Sequence, residues 1–172
     1  MLEVTWPDGR KAQIDPSRVL RIRRAVYGED GKTRIDLTAA RYQLVMEQPE
    51  EIARLVGLEL RSLASIRGVE GNPVWFNAKT VTGPVYVTPF EREGTAIKSA
   101  LLIFPPKKQY TLETAAEVAR IITNAGGTPE PLPPEDNLLT TLGNWVRSMW
   151  RQPVPPAQPP ADDGPEGAVL ER

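Results

Sequence analysis

An internal repeat limits what this chain can fold into more than any single residue does. One constant shift sets Gly9 against Gly71, Ile14 against Phe76, Asp15 against Asn77, Val19 against Val81, Thr33 against Thr95 and Ile35 against Ile97. Further on, Tyr42-Gln43-Leu44 is answered by Tyr110-Thr111-Leu112, and Glu51-Ile52-Ala53-Arg54-Leu55-Val56 by Glu117-Val118-Ala119-Arg120-Ile121-Ile122. The same order of apolar runs, turns and a terminal helix occurs twice. That order predicts an α+β protein of two tandem β-meander-plus-helix repeats, residues 1–62 and 63–127, related by a pseudo-two-fold axis.

The local signals agree with that plan. Leu2 to Trp6 alternates as a strand, Pro7-Asp8-Gly9-Arg10 supplies a turn, and Lys11 to Ile14 returns. Asp15-Pro16-Ser17 breaks the run, because Pro16 restricts φ and Asp15 can bond the backbone beyond it. Val19 to Val26, Thr33 to Leu37 and Tyr42 to Met46 read as three more strands. Pro49, Glu50 and Glu51 open a helix whose apolar face is Ile52, Leu55 and Val56, with Gly57 as the expected stop.

In the second half the expected strands are Leu63 to Ile66, Val74 to Phe76, Val85 to Val87, Ile97 to Phe104 and Tyr110 to Leu112, with Pro105 to Lys108 as a rigid turn. Thr114 and Glu117 then form a capping box before a helix running to Gly126-Gly127.

From Thr128 the composition changes. Residues 128–135 read as a Pro-rich linker, 136–152 as an amphipathic helix, and 153–172 as a disordered, acidic, Pro-rich tail. The helix would carry Leu138, Leu139, Leu142, Trp145, Val146, Met149 and Trp150 on one face. Charge divides the same way: residues 1–127 hold 18 basic and 15 acidic side chains, residues 128–172 hold 3 and 7.

The chain of 172 residues contains no cysteine and no histidine. Disulfides, thiolate chemistry, Ser-His-Asp triads and the usual zinc ligand sets are therefore excluded. No P-loop, G-x-G-x-x-G or EF-hand loop occurs either. These absences predict a chain that is not an enzyme, with no catalytic, cofactor or metal residues to name. A start without signal-peptide character and no long apolar run point to a cytoplasmic location, or to a phage particle for a virion protein.

Residues 2–57 resemble short flagellar and swarming-motility proteins of the FlbD type, and similar small phage and prophage products. The matching pattern is Val4-Thr5, Asp8-Gly9, Ile14-Asp15-Pro16, Val19, Ile22, Thr33-x-Ile35-x-Leu37, Tyr42-x-Leu44-Val45, Glu47 and Glu51-Ile52, with a weaker echo over 64–123. The resemblance implies a small bacterial or phage β-rich module without catalytic residues, acting through contacts. A fused pair with a Pro-rich tail departs from the single short modules of that type.

Two surfaces stand out. A protein partner or an oligomeric self-contact is expected through Leu138, Leu142, Trp145, Met149 and Trp150, whose two indoles supply the buried area that anchors interfaces, with Trp75 as a further contact. The competing expectation is that the same helix folds back onto its own body. A membrane surface is disfavoured, because Arg147 and Arg151 alone would meet headgroups. The alternative class is nucleic-acid binding through an arginine stripe of Arg18, Arg21, Arg23 and Arg24, with Arg21 and Arg23 opposite Leu20 and Ile22. Turn formation accounts for Glu29-Asp30, and the tail's P-x-x-P spacing suits a spacer or a ligand of an aromatic groove.

Overall fold

The computed structural model describes residues 1–132, which lie within one compact unit. The expectations for the end of the Pro-rich linker, the Trp-containing helix and the acidic tail fall outside the described residues. So do Leu138, Leu142, Trp145, Met149 and Trp150 as candidate contacts.

The described chain is mixed α+β, with three antiparallel sheets and few helices. Strands β1 (Leu2–Thr5) and β2 (Lys11–Ile14) form a hairpin that pairs Leu2 with Ile14 and Thr5 with Lys11. Its turn needs Gly9 at φ 84°, a left-handed conformation that costs glycine little. Asp15 Oδ1 then accepts the Ser17 N–H at 2.9 Å and caps the 3₁₀ turn Pro16–Arg18. Strands β3 (Val19–Arg24), β4 (Thr33–Leu37) and β5 (Arg41–Val45) form a meander, and helix α1 (Pro49–Glu59) follows.

Next come β6 (Leu63–Arg67), β7 (Pro73–Asn77), β8 (Thr82–Val85), the single helical turn α2 (Pro89–Arg92), β9 (Ser99–Phe104), β10 (Lys107–Thr111) and α3 (Ala115–Asn124). The capping box expected at Thr114 and Glu117 is present on α3.

Three local expectations change. Gly57 does not end α1, because the helix continues to Glu59 and the Leu60 N–H closes on Val56 O at 2.8 Å. Ile52, Ala53 and Val56 are buried on its inner face, and that packing offsets the roughly 1 kcal/mol a mid-helix glycine costs. The strand expected at Val85–Val87 lies earlier, at Thr82–Val85, since Thr88 and Glu91 form a second capping box that starts α2. Ile97 precedes β9, yet its side chain is buried with Val87 and Ala100 in a small third cluster.

The largest sheet runs β5-β4-β3-β7-β6, so it draws three strands from the first half of the chain and two from the second. The junction pairs Arg21 with Phe76, Ile22 with Trp75 and Arg23 with Val74. Residues paired directly across antiparallel strands share a face, which fixes two unlike surfaces. One face carries Ile35 and Ile22, packed with Val4, Ile14, Val19, Ile52 and Val56 beneath the β1–β2 hairpin and α1. The other face reads Tyr42, Asp36, Arg21, Phe76, Ala64 in one row and Leu44, Arg34, Arg23, Val74, Ile66 in the next.

The apolar end of those rows meets Leu101, Ile103, Val118 and Ile122, which come from the β10-β9-β8 sheet and α3. Two cores therefore lie on opposite faces of one shared sheet. After α3 the chain passes so close to the residue following β7 that a Cβ on Gly127 would sit 2.1 Å from Ala78 O.

A bulge at Leu20 revises the arginine-strand expectation. The β3–β4 register slips between Val19 and Arg21, so Leu20 is the extra residue. Ile22 faces the first core as expected, whereas Leu20 packs against the second.

Candidate functional site

The arginine-bearing face is a closed ionic lattice at its floor. Arg21 Nε donates to Asp36 Oδ2 at 2.7 Å, and Arg34 Nε donates to Asp36 Oδ1 at 2.8 Å. Arg34 Nη1 and Arg23 Nη2 both donate to Glu29 Oε1 at 2.8 Å. Arg21 Nη1 also reaches Gln109 Oε1 on β10 at 2.7 Å, tying the two sheets together. The Asp36 side chain is only 3% exposed, so two guanidiniums are what make its burial tolerable.

Glu29 is a residue whose role sequence reasoning missed. It sits in the β3–β4 connection as expected, but its carboxylate folds back onto Arg23, Arg34 and the Val26 N–H. Burial raises its pKa, and those donors outweigh burial and hold it down at about 2. The signal available in the sequence was the pairing of arginines two apart on β3 with a carboxylate in the following turn. Burial pushes the Arg21 guanidinium down, opposed by Asp36.

A groove of about 470 Å³ opens above this lattice. Its walls are aromatic: the Arg34 guanidinium lies 4.0 Å from the Tyr42 ring centroid, and that of Arg21 lies 5.4 Å from Phe104. Its rim carries Arg41 on β5 and Lys107 at the start of β10, both exposed and without a carboxylate partner among the described residues.

A second groove, of about 370 Å³, lies at the end of the shared sheet where β3 leaves it and the β6–β7 turn passes. Val26, Tyr27 and Val69 line it, and they are 51%, 107% and 46% exposed. Val26 and Tyr27 come from the first half of the chain and Val69 from the second.

The predicted nucleic-acid residues do not assemble into one free stripe. Arg21 and Arg23 are paired within the lattice, while Arg18 donates to Thr38 Oγ1 at 3.3 Å beyond the other end of the strand. Arg24 is exposed. Asp36 enters the lattice, whereas Asp8 pairs with Arg10, Glu3 with Lys11, and Glu47 accepts the Thr5 N–H. Trp75 faces the first core and packs against it, half-buried beside α1, so the body itself covers it.

Another cluster sits at α2. Glu91 accepts from Lys108 Nζ at 2.8 and 3.0 Å, from Tyr110 Oη at 2.6 Å and from the Thr88 N–H at 2.7 Å. Lys108 does most to hold the Glu91 carboxyl at about 2, and these bonds fasten the β8–β9 connection to β10. Among the described residues no group of three or more carboxylates is placed to hold a metal ion, and no helix is long and apolar enough to cross a membrane. Neither a family model, nor a curated protein, nor a solved structure matches the chain.

Proposed function

We propose that the chain is a duplicated, non-enzymatic protein-interaction or structural and assembly protein that binds through its paired sheets. The observation that carries this reading is the apolar groove at Val26, Tyr27 and Val69, built jointly by the two halves of the chain. Large apolar side chains left in water side by side are a usual mark of a protein contact surface. A tyrosine supplies contact area at little entropic cost. The groove's occupant is an apolar side chain of a partner protein, with Arg24 and Glu70 at its polar rim. The Trp-containing segment at 136–152 remains part of this reading as a second contact.

Recurrent hydrogen bonds support the duplication. Trp6 N–H to Arg10 O recurs as Gly68 to Asn72, Gly9 to Trp6 as Gly71 to Gly68, and Arg18 to Asp15 as Thr80 to Asn77. The Thr5 N–H on the Glu47 carboxylate recurs as Arg67 on Glu113, and the Thr33 hydroxyl on Glu47 O as Ser99 on Glu113 O. The first set and the step from Thr5 to Arg67 keep the offset of 62 from Gly9 to Gly71, but Thr33 to Ser99 and Glu47 to Glu113 have an offset of 66.

Thr33 thus answers Ser99 rather than Thr95, Ile35 answers Leu101 rather than Ile97, and Tyr42 answers Lys108 rather than Tyr110. The second half is four residues longer between its third and fourth strands, where α2 is inserted.

Replacing Tyr27 in the full chain with a photo-crosslinking phenylalanine tests the contact surface in extract of the source cells. A discrete protein adduct is expected, abolished by Val69→Asp and absent when the probe replaces exposed Glu50 on α1. Equal labelling from both positions, or no protein adduct at position 27, contradicts the reading.

A further inference from the structure

We propose that the groove between β5 and the Phe104–Lys107 turn binds an acidic segment of a partner protein, whose carboxylates sit on Arg41 and Lys107 and whose apolar side chains pack on Tyr42 and Phe104. This goes beyond the contact at Tyr27 and rests on the reading of the chain as a protein-binding module. It is carried by the groove's charge and by its rigidity.

The lattice sets three guanidiniums against two carboxylates, Asp36 and Glu29, so its floor keeps one positive charge in excess. Arg41 and Lys107 add two more at the rim, where neither meets an acidic side chain among the described residues. Such a field draws in an anionic partner and disfavours a cationic one.

The floor is already organised. Asp36 and Glu29 each hold two arginines, and Tyr42 and Phe104 each have one guanidinium over a ring. Binding there does not have to order those side chains, which removes a usual entropic cost of association. Tyr42 remains 54% exposed, so apolar area is available beside the rim cations. Among the described residues β5 has a strand neighbour on one side only, which leaves backbone groups for an extended segment.

Chemistry separates a peptide from a nucleic acid here. Two unpaired cations neutralise only about two phosphates, and affinity for a nucleic acid scales with that number. The wall at Pro105 and Pro106 has no N–H to offer a phosphate. Carboxylates on a partner chain with an apolar residue between them match the chemistry of both rim and walls.

The test is selection of a randomised nonapeptide library on the full chain at low salt, with the exposed double variant Arg41→Glu, Lys107→Glu as the counter-target. Expected are peptides enriched in Asp and Glu that bind the double variant more than tenfold more weakly, while peptides carrying Asn and Gln at those positions also lose binding. Far-ultraviolet circular dichroism checks that the double variant keeps its fold. Failure to enrich acidic peptides, or peptides that bind the variant equally, overturns the proposal. So does a labelled oligothymidylate that binds the groove more tightly than the selected peptides. If crosslinks form at position 27 while this selection fails, only the groove assignment falls; if both fail, the protein-binding reading falls with it.

Discussion

Strands β4 and β9 hold matching places, each the middle strand of its meander, and each has one face on an apolar core. Ile35 and Leu37 on β4 correspond in this respect to Leu101 and Ile103 on β9. Their other faces differ. β9 presents Ala100 and Leu102, whereas β4 presents a half-buried Arg34 and a buried Asp36 joined by an ion pair. The contrast separates two ways of satisfying a covered sheet face. Apolar packing depends on volume and fails by leaving a cavity. An ionic lattice depends on every member and fails by leaving a charge without its partner.

Four perturbations sharpen or break that comparison. The largest effect is expected for Leu101→Ala, which removes a fully buried side chain and should cost about 4 kcal/mol by urea denaturation. Ile35→Ala should cost a similar amount, and a value under half as large for either strand would break the equivalence of the two cores. Next comes Asp36→Ala, expected to cost about 3 kcal/mol, because it takes the paired carboxylate from Arg21 and one of two from Arg34. A loss no greater than that of an exposed substitution would show that water replaces the lattice freely.

The third perturbation is acid. Glu29 and Glu91 both titrate in the folded protein at about 2, below the ordinary 4.5. Their contribution is complete above pH 4.5 and is lost as pH falls from there towards 2. Urea midpoints should therefore decline across that window, and Glu29→Gln should flatten the decline. An unchanged slope in the variant would remove Glu29 from the lattice's acid response.

The smallest effect concerns α1 and α3, the helices that each follow a three-strand meander. Thr114 caps α3 with its side chain, but Gln48 makes no such bond on α1. Thr114→Ala should cost about 1 kcal/mol. Gln48→Thr, which has Glu51 three residues on, should gain roughly 0.5 kcal/mol by completing a capping box.

Local order was legible in the sequence where one residue type settles one backbone event. Gly9, Asp15-Pro16, Pro49 and the Thr114–Glu117 box mark their turns and helix starts within a residue or two. Strand neighbours were not legible. β2 and β7 close similar hairpins, yet β7 pairs with β3 while β2, among the described residues, has β1 as its only strand partner. Nothing in the alternation of either strand distinguishes those fates, because the choice is made by distant packing.

The Arg21 and Arg23 side chains were placed on a common face correctly, but their neutralisation depended on Glu29 returning from the turn. The grooves at Tyr27 and Tyr42 were missed for the same reason, since each gathers residues from segments far apart in the chain.

The β3–β7 junction joins strands from both halves of the described chain in one sheet, and native-state hydrogen exchange on the full chain tests most directly whether it makes them one cooperative body. The slowest amides of β4 and β9 should open with one common free energy and one common dependence on denaturant. Two separate sets of values, with one half exchanging while the other stays protected, would contradict a single body joined through that sheet.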